Sequence, residues 1–123
     1  MQTAGTASPG AGLHRDALAG HTLITITGDL DIASAPSLRE PLETALRDAG
    51  PLVVIDLSGV TFCDAAGLAL LTGARRLTEP EGVTLVLAAP RPHMVRLLRV
   101  SGLARVFAVR PSVDAALARS AAA

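Results

Sequence analysis

The sequence predicts a single α/β domain: one mixed, mostly parallel sheet of four or five strands, with about four helices. Three observations lead there. The chain has 123 residues, enough for one hydrophobic core and too few for two ordinary domains. Half of its residues are hydrophobic, and only Phe62 and Phe107 are aromatic, so the core must be built from Leu, Val, Ile and Ala. Short apolar runs alternate with segments of helical period, the pattern of right-handed crossovers between parallel strands.

Residues 1–11 (MQTAGTASPGA) are small and polar, and a flexible tail is expected there. The domain is expected over 12–120, with a short tail at 121–123. LHRDAL at 13–18 reads as a weak first strand, joined antiparallel. HTLITITG at 21–28 alternates cleanly and is rich in β-branched residues, with Gly28 as its end. In the next stretch Asp31 or Ser34 can cap a helix and Pro36 suits a first turn. Leu38, Leu42, Ala45 and Leu46 then recur at helical spacing until Gly50 and Pro51. Pro41 predicts a helix that starts only near residue 38 or is kinked there.

LVVIDL at 52–57 is apolar on both faces, which marks a central strand covered on both sides. SGV at 58–60 reads as a plain turn. GLALLTGARRL at 67–77 is a helix with Leu70, Ala74 and Leu77 on one stripe and Leu71 beside it. GVTLVLAA at 82–89 is a strand. RPHMVRLLRVSGL at 91–103 is a helix that packs through Met94, Val95, Leu97 and Leu98. RVFAV at 105–109 is a short last strand. PSVDAALARSAAA at 111–123 is an Ala-rich helix, expected to rest more on propensity than on core contacts.

Formal net charge is zero, so no global field draws nucleic acid or a membrane surface. The charge is unevenly spread. Asp29, Asp31, Glu40 and Glu43 sit near Arg39 alone, while Arg91, Arg96, Arg99, Arg105, Arg110 and Arg119 face only Asp114. Few aromatics argue against base stacking, so no direct nucleic-acid role is expected. The N-terminus lacks the basic start and apolar run of a secretory signal, and no apolar stretch reaches the roughly 20 residues of a membrane span. A cytoplasmic protein without membrane insertion is expected; a monomer is the default, with a homodimer open.

Catalytic chemistry is sparse. His14, His21 and His93 have no metal-ligand spacing, so no metal and no cofactor is expected. Cys63 is the one cysteine. The acid that follows it disfavours a thiolate, so it reads as a small core residue and not a nucleophile. No phosphate loop, nucleophile elbow or paired acids are present, and an enzyme is not expected.

In open α/β sheets, binding sites collect beyond the carboxyl ends of the strands. Two loops leave such ends here: GDLDIASA (28–35) and TFCDAAGL (61–68). Each residue also has an ordinary structural role. Asp64 can cap the helix that begins at Ala65 and complement its dipole. Gly67 permits close approach of helix to sheet. Asp29 and Asp31 suit a polar loop and a cap. What these roles leave unexplained is that both loops share one edge.

ITITGDLDIASAPSLRE, LVVIDLSGVTFCDAAGLALL and VTLVLAAPRPHMVRLLRVSGL together resemble STAS domains of the bacterial anti-sigma-factor antagonist type. The resemblance covers roughly residues 12–120 and implies the STAS fold. It also implies a protein that binds a kinase-type anti-sigma factor and so frees a sigma factor. In such proteins the kinase reverses binding by phosphorylating a Ser or Thr just after the motif Asp, which is Asp64 here. That position is Ala65, followed by Ala66, so the usual acceptor hydroxyl is absent. A phosphate there would add about −1.5 to −2 of charge near Asp31 and Asp64. Without it the chain resembles a switch held in its unmodified state, bound constitutively. The candidate partner surface is Asp29, Asp31 and Ser34 of the first loop with Thr61, Asp64, Ala65, Ala66, Gly67 and Leu68 of the second. A similar pattern occurs in small STAS subunits that bind the ATPase of lipid-transport complexes, although their acceptor-type position is normally Thr. A scaffold or decoy is the third reading.

Overall fold

The computed structural model describes residues 6–8 and 10–122. Strands β2 (Ala11–Leu18) and β3 (His21–Leu30) form a hairpin, and α1 (Ala35–Leu46) leads into β4 (Leu52–Cys63). Helix α2 (Ala65–Thr78), strand β5 (Thr84–Ala88), helix α3 (Pro92–Val100), strand β6 (Ala108–Arg110) and helix α4 (Val113–Ala122) complete the alternation. β2 pairs antiparallel with β3, and β3, β4, β5 and β6 run parallel in chain order. These five strands are the mixed sheet expected from the sequence. A three-residue strand, β1 (Thr6–Ser8), adds to its edge by pairing antiparallel with β2. Thr6–Ser8 and Ala11 were expected in a tail; backbone pairing along β2 recruits them despite their weak apolar pattern. Residues 1–5, 9 and 123 lie outside the described residues, and Ala121 and Ala122, expected in a C-terminal tail, belong to α4 instead.

Strand order that follows chain order has a consequence. Successive crossovers of one hand put α1, α2 and α3 on the same face of the sheet. The main core lies there: Ile24, Ile26, Val53, Ile55, Leu57 and Leu87 of the strands meet Leu38, Leu42, Leu71, Met94 and Leu98 of the helices. Each of these side chains is almost fully buried, which stabilises the fold by about 1.5–3 kcal/mol apiece before entropy is counted. The opposite face falls to α4. Ala116 is 1% exposed and packs with Leu52, Val54, Val86 and Ala88. The expectation that α4 rests mainly on propensity is therefore corrected: it seals the second face of the central strands.

Other differences have local causes. Helix α1 starts at Ala35, not near residue 38, and Pro41 sits inside it. The missing N–H would have bonded the carbonyl of Ser37, an exposed residue that water can serve. β3 does not stop at Gly28 but runs to Leu30. SGV is no turn either. It belongs to β4, which gains one extra residue over β3 between the Thr25–Asp56 and Thr27–Gly59 pairs, and another, Thr61, between Gly28–Val60 and Asp29–Phe62. Two bulges bend the strand without ending it. β6 begins at Ala108, later than expected, because Leu103–Arg105 close a 3-10 turn. Val95 and Leu97 are only half-buried. Leu77, expected on the packed stripe of α2, is 47% exposed while Thr78 beside it is 2% exposed, because the packed face runs through Leu71, Ala74 and Thr78 and leaves Leu77 at its margin.

Candidate functional site

β3 and β4 end side by side, with Leu30 paired to Cys63. The next residues, Asp31 and Asp64, therefore open two adjacent loops at the carboxyl edge. Asp64 is the hinge of the arrangement. One of its carboxylate oxygens, Oδ1, accepts from the backbone N–H of Ala66 at 2.9 Å and of Gly67 at 3.1 Å. That is the helix cap expected from the sequence. The other oxygen, Oδ2, accepts from the backbone N–H of Ile32 in the upstream loop at 3.1 Å. One side chain thus caps α2 and ties it to the loop after β3.

The upstream loop is held from within. Asp31 Oδ1 accepts from the N–H groups of Ala33 and Ser34, at 3.1 and 3.0 Å. Ser34 Oγ donates to the carbonyl of Asp29 at 2.6 Å and accepts from the N–H of Asp31 at 3.1 Å. Asp31, not Ser34, is therefore the side chain that caps the turn into α1. Thr61, the extra residue of the second bulge, donates from Oγ1 to Asp29 Oδ1 at 2.9 Å. At the base, the N–H of Asp29 bonds the carbonyl of Gly10. Gly28 has φ +85, and a Cβ there would overlap that same carbonyl, so only glycine lets the hairpin close under the loop.

Helix α2 lands tightly on this edge. A Cβ on Gly67 would overlap the carbonyl oxygen of Leu30 and lie 2.8 Å from Cys63 Sγ. Beneath it, Cys63 is 6% exposed. Burial, and then the charge of Asp64, push its thiol up to about 11. A thiol held neutral is no nucleophile at physiological pH.

The structure brings Asp29, Asp31, Thr61, Asp64, Ala65 and Ala66 to one surface. Thr61 and Ala65 are exposed, while the three acids and Ala66 are half-buried. Three expected surface residues are interior instead. Leu68 is 6% exposed and belongs to the main core, because α2 turns Gly67, Leu68 and Leu71 toward the sheet. Ser34 is 1% exposed and Gly67 is buried; both shape the surface from below. Two residues the sequence reading passed over belong to it. Ile32 is 76% exposed and Phe62 is 49% exposed, flanking the acids with apolar area. An isoleucine amid short polar residues was the available signal for the first. The second could not be read, because the Thr61 bulge decides which way Phe62 points.

Among the described residues, no group of three or more His, Cys, Asp or Glu could hold a metal ion. No helix there is long and apolar enough to cross a membrane. Among the described residues none of its three acids forms an ion pair; each accepts hydrogen bonds from neighbouring groups instead. It is an acidic turn held by its own hydrogen bonds and flanked by exposed apolar side chains.

Comparison with known proteins points the same way. The family profile described as "Mlab, STAS domain" matches residues 13–111. The anti-sigma-B factor antagonist of Listeria monocytogenes is 29% identical over 90 residues, covering 73% of this chain and 79% of that protein. The anti-sigma-B factor antagonist of Bacillus subtilis is 32% identical over 80 residues, covering 65% of this chain and 72% of that protein. The crystal structure of an anti-sigma factor antagonist from Mycobacterium paratuberculosis superposes with a TM-score of 0.82 at 26% identity, covering 93% of this chain and 97% of that one. The profile match spans most of the chain, from residue 13 to residue 111: the chain belongs to the STAS domain family.

Proposed function

We propose that this protein is an anti-sigma-factor antagonist of the cytoplasm. It binds a kinase-type anti-sigma factor through the carboxyl-edge surface and thereby frees a sigma factor. Asp29, Asp31, Thr61, Asp64, Ala65 and Ala66 make the contact, with Ile32 and Phe62 as its apolar flanks. The binding unit is the STAS domain, which includes Gly10 and Ala11 beneath the first loop as well as the 12–120 span read from the sequence, and no catalysis by the chain is involved.

One observation carries the reading. The first turn of α2 is capped by Asp64, bonded to the neighbouring loop, and presents an exposed methyl group at Ala65. The docking shape is complete and the hydroxyl that a kinase would modify is missing. Binding is therefore constitutive with respect to phosphorylation at this position, and control passes to expression or competition.

The test is calorimetric titration of the protein against candidate kinase-type anti-sigma factors, with ADP and with ATP. Binding that survives prolonged incubation with ATP is the expected result. Phosphate on Thr61 or Ser58 would sink the held switch, and absence of binding to every such kinase would sink the antagonist reading. Ala65→Ser should create an acceptor and make binding ATP-sensitive. Binding instead to an ABC-transporter ATPase would establish the transporter-subunit alternative, and binding to neither the scaffold.

A further inference from the structure

The other end of the sheet carries a second surface. A groove of about 670 Å³ opens where β4 and β5 begin, between the last turns of α1 and α2. Its apolar lining includes Leu46, Leu77 and Val83, and its charged lining is Glu43, Asp48 and Glu81 against Arg47. A smaller groove of about 300 Å³ continues from it, sharing Thr78, Gly82 and Val83 and reaching Val106. Val106 begins the segment just before β6, next to the last turn of α3.

That neighbouring ridge has the complementary character. No acid occurs between Glu81 and Asp114, while Arg96, Arg99 and Arg105 all fall there. All three are exposed. Val100 between them is 84% exposed and Val106 is 43% exposed. The one ion pair of permanently charged groups found among the described residues is Arg75–Glu79, and His14 shares a hydrogen bond with Asp16. Among the described residues neither the groove acids nor the ridge arginines form an ion pair.

We infer that this end is a self-association surface whose occupant is a second copy of the chain. An acidic, apolar groove lies beside a basic, apolar ridge. A two-fold axis can then seat the ridge of each copy in the groove of the other, satisfying both in one self-complementary contact. The contact lies at the start of β4 and the candidate docking turn lies at its end, so both docking turns stay free and the dimer is bivalent. This inference does not depend on the identity of the docking partner.

Sedimentation velocity over a wide concentration series tests it. The intact protein should dimerise at low salt and dissociate as salt rises, because exposed pairs are screened. Glu43→Arg with Glu81→Arg, and separately Arg96→Glu with Arg99→Glu, should each weaken the dimer by about tenfold or more. Mixing the two variants should restore association, because each groove then meets a ridge of opposite charge. A protein that stays monomeric at every concentration, a dimer indifferent to both variants, or open-ended larger assemblies would each overturn the proposal. If a variant fails to fold, as judged by circular dichroism, the salt series on the unaltered protein decides.

Discussion

The two ends of the sheet use polar groups in opposite ways. At the carboxyl end they are spent on one another: Asp64 takes three backbone N–H groups from two segments, and Ser34 and Asp31 lock the loop between them. At the amino end Glu43, Asp48 and Glu81 line a groove with no ion pair among the described residues. The difference separates a proposed docking turn whose shape is set in advance from a proposed self-association groove that rests on charge. A preformed turn loses little conformational entropy when a partner arrives, and its affinity depends on shape. An open charged groove depends on salt.

The contrast breaks most completely at Gly67. Its α-carbon lies against the carbonyl of Leu30, so Gly67→Ala must push α2 away from the edge. A loss of about 3 kcal/mol in urea unfolding is expected, with the slope unchanged. Gly73, six residues along the same helix, has nothing within 4 Å of an added Cβ. Gly73→Ala should therefore gain about 0.5–1 kcal/mol from helix propensity alone. Equal effects at both positions would show that helix propensity, not the contact at the sheet edge, sets the cost.

Asp64 comes next and can be divided. Asp64→Ala removes the cap and the bond to Ile32 and should cost about 2 kcal/mol. Asp64→Asn keeps an oxygen for Ala66 and Gly67 but offers an amide group, not an acceptor, to the N–H of Ile32. It should cost about 1 kcal/mol and raise amide hydrogen exchange at Ile32 while leaving α2 protected. Equal exchange in the native protein and Asp64→Asn would mean the two loops are not coupled through this side chain. A smaller effect is expected on the surface itself. Ile32→Ser with Phe62→Ser should leave stability nearly unchanged and weaken binding to the anti-sigma factor about tenfold, since exposed apolar flanks contribute mainly when a partner covers them.

Legibility in the sequence followed the range of the interaction. Local devices could be read: the Asp64 cap over Ala66 and Gly67, the periodic leucines of α1, the central apolar run of β4. Contacts between distant segments could not. Nothing near Asp64 announces that Ile32, 32 residues earlier, will donate to it. The bulges of β4 were hidden for a related reason. Ser58, Gly59 and Thr61 have turn-like composition, and only pairing with β3 keeps them extended. Leu68 and Leu77 were misjudged in opposite senses, one buried and one exposed. Helical periodicity allows neighbouring stripes on α2, and the one that packs takes in Leu68, Leu71, Ala74 and Thr78 and leaves Leu77 at its margin.

At neutral pH the smallest effect of all is expected at Cys63, which lies under the preformed edge. Its thiol is pushed up to about 11 from an ordinary value near 9 by burial and by the charge of Asp64. Well below pH 9 both folded and unfolded chains keep the proton, so Cys63→Ala should leave the pH dependence unchanged there. Between about pH 9 and 11 the unfolded chain gives up the thiol proton and the folded chain keeps it. The unfolded state then binds fewer protons, and stability falls as pH rises. Cys63→Ala should abolish that part of the alkaline loss. The same burial predicts that thiol reagents at neutral pH react only as fast as the edge opens, and Asp64→Ala should speed that reaction by loosening the cap above it. Rapid labelling of the native protein, at a rate no different in Asp64→Ala, would mean that the cap does not control access to Cys63 and that the carboxyl end is as open as the amino end.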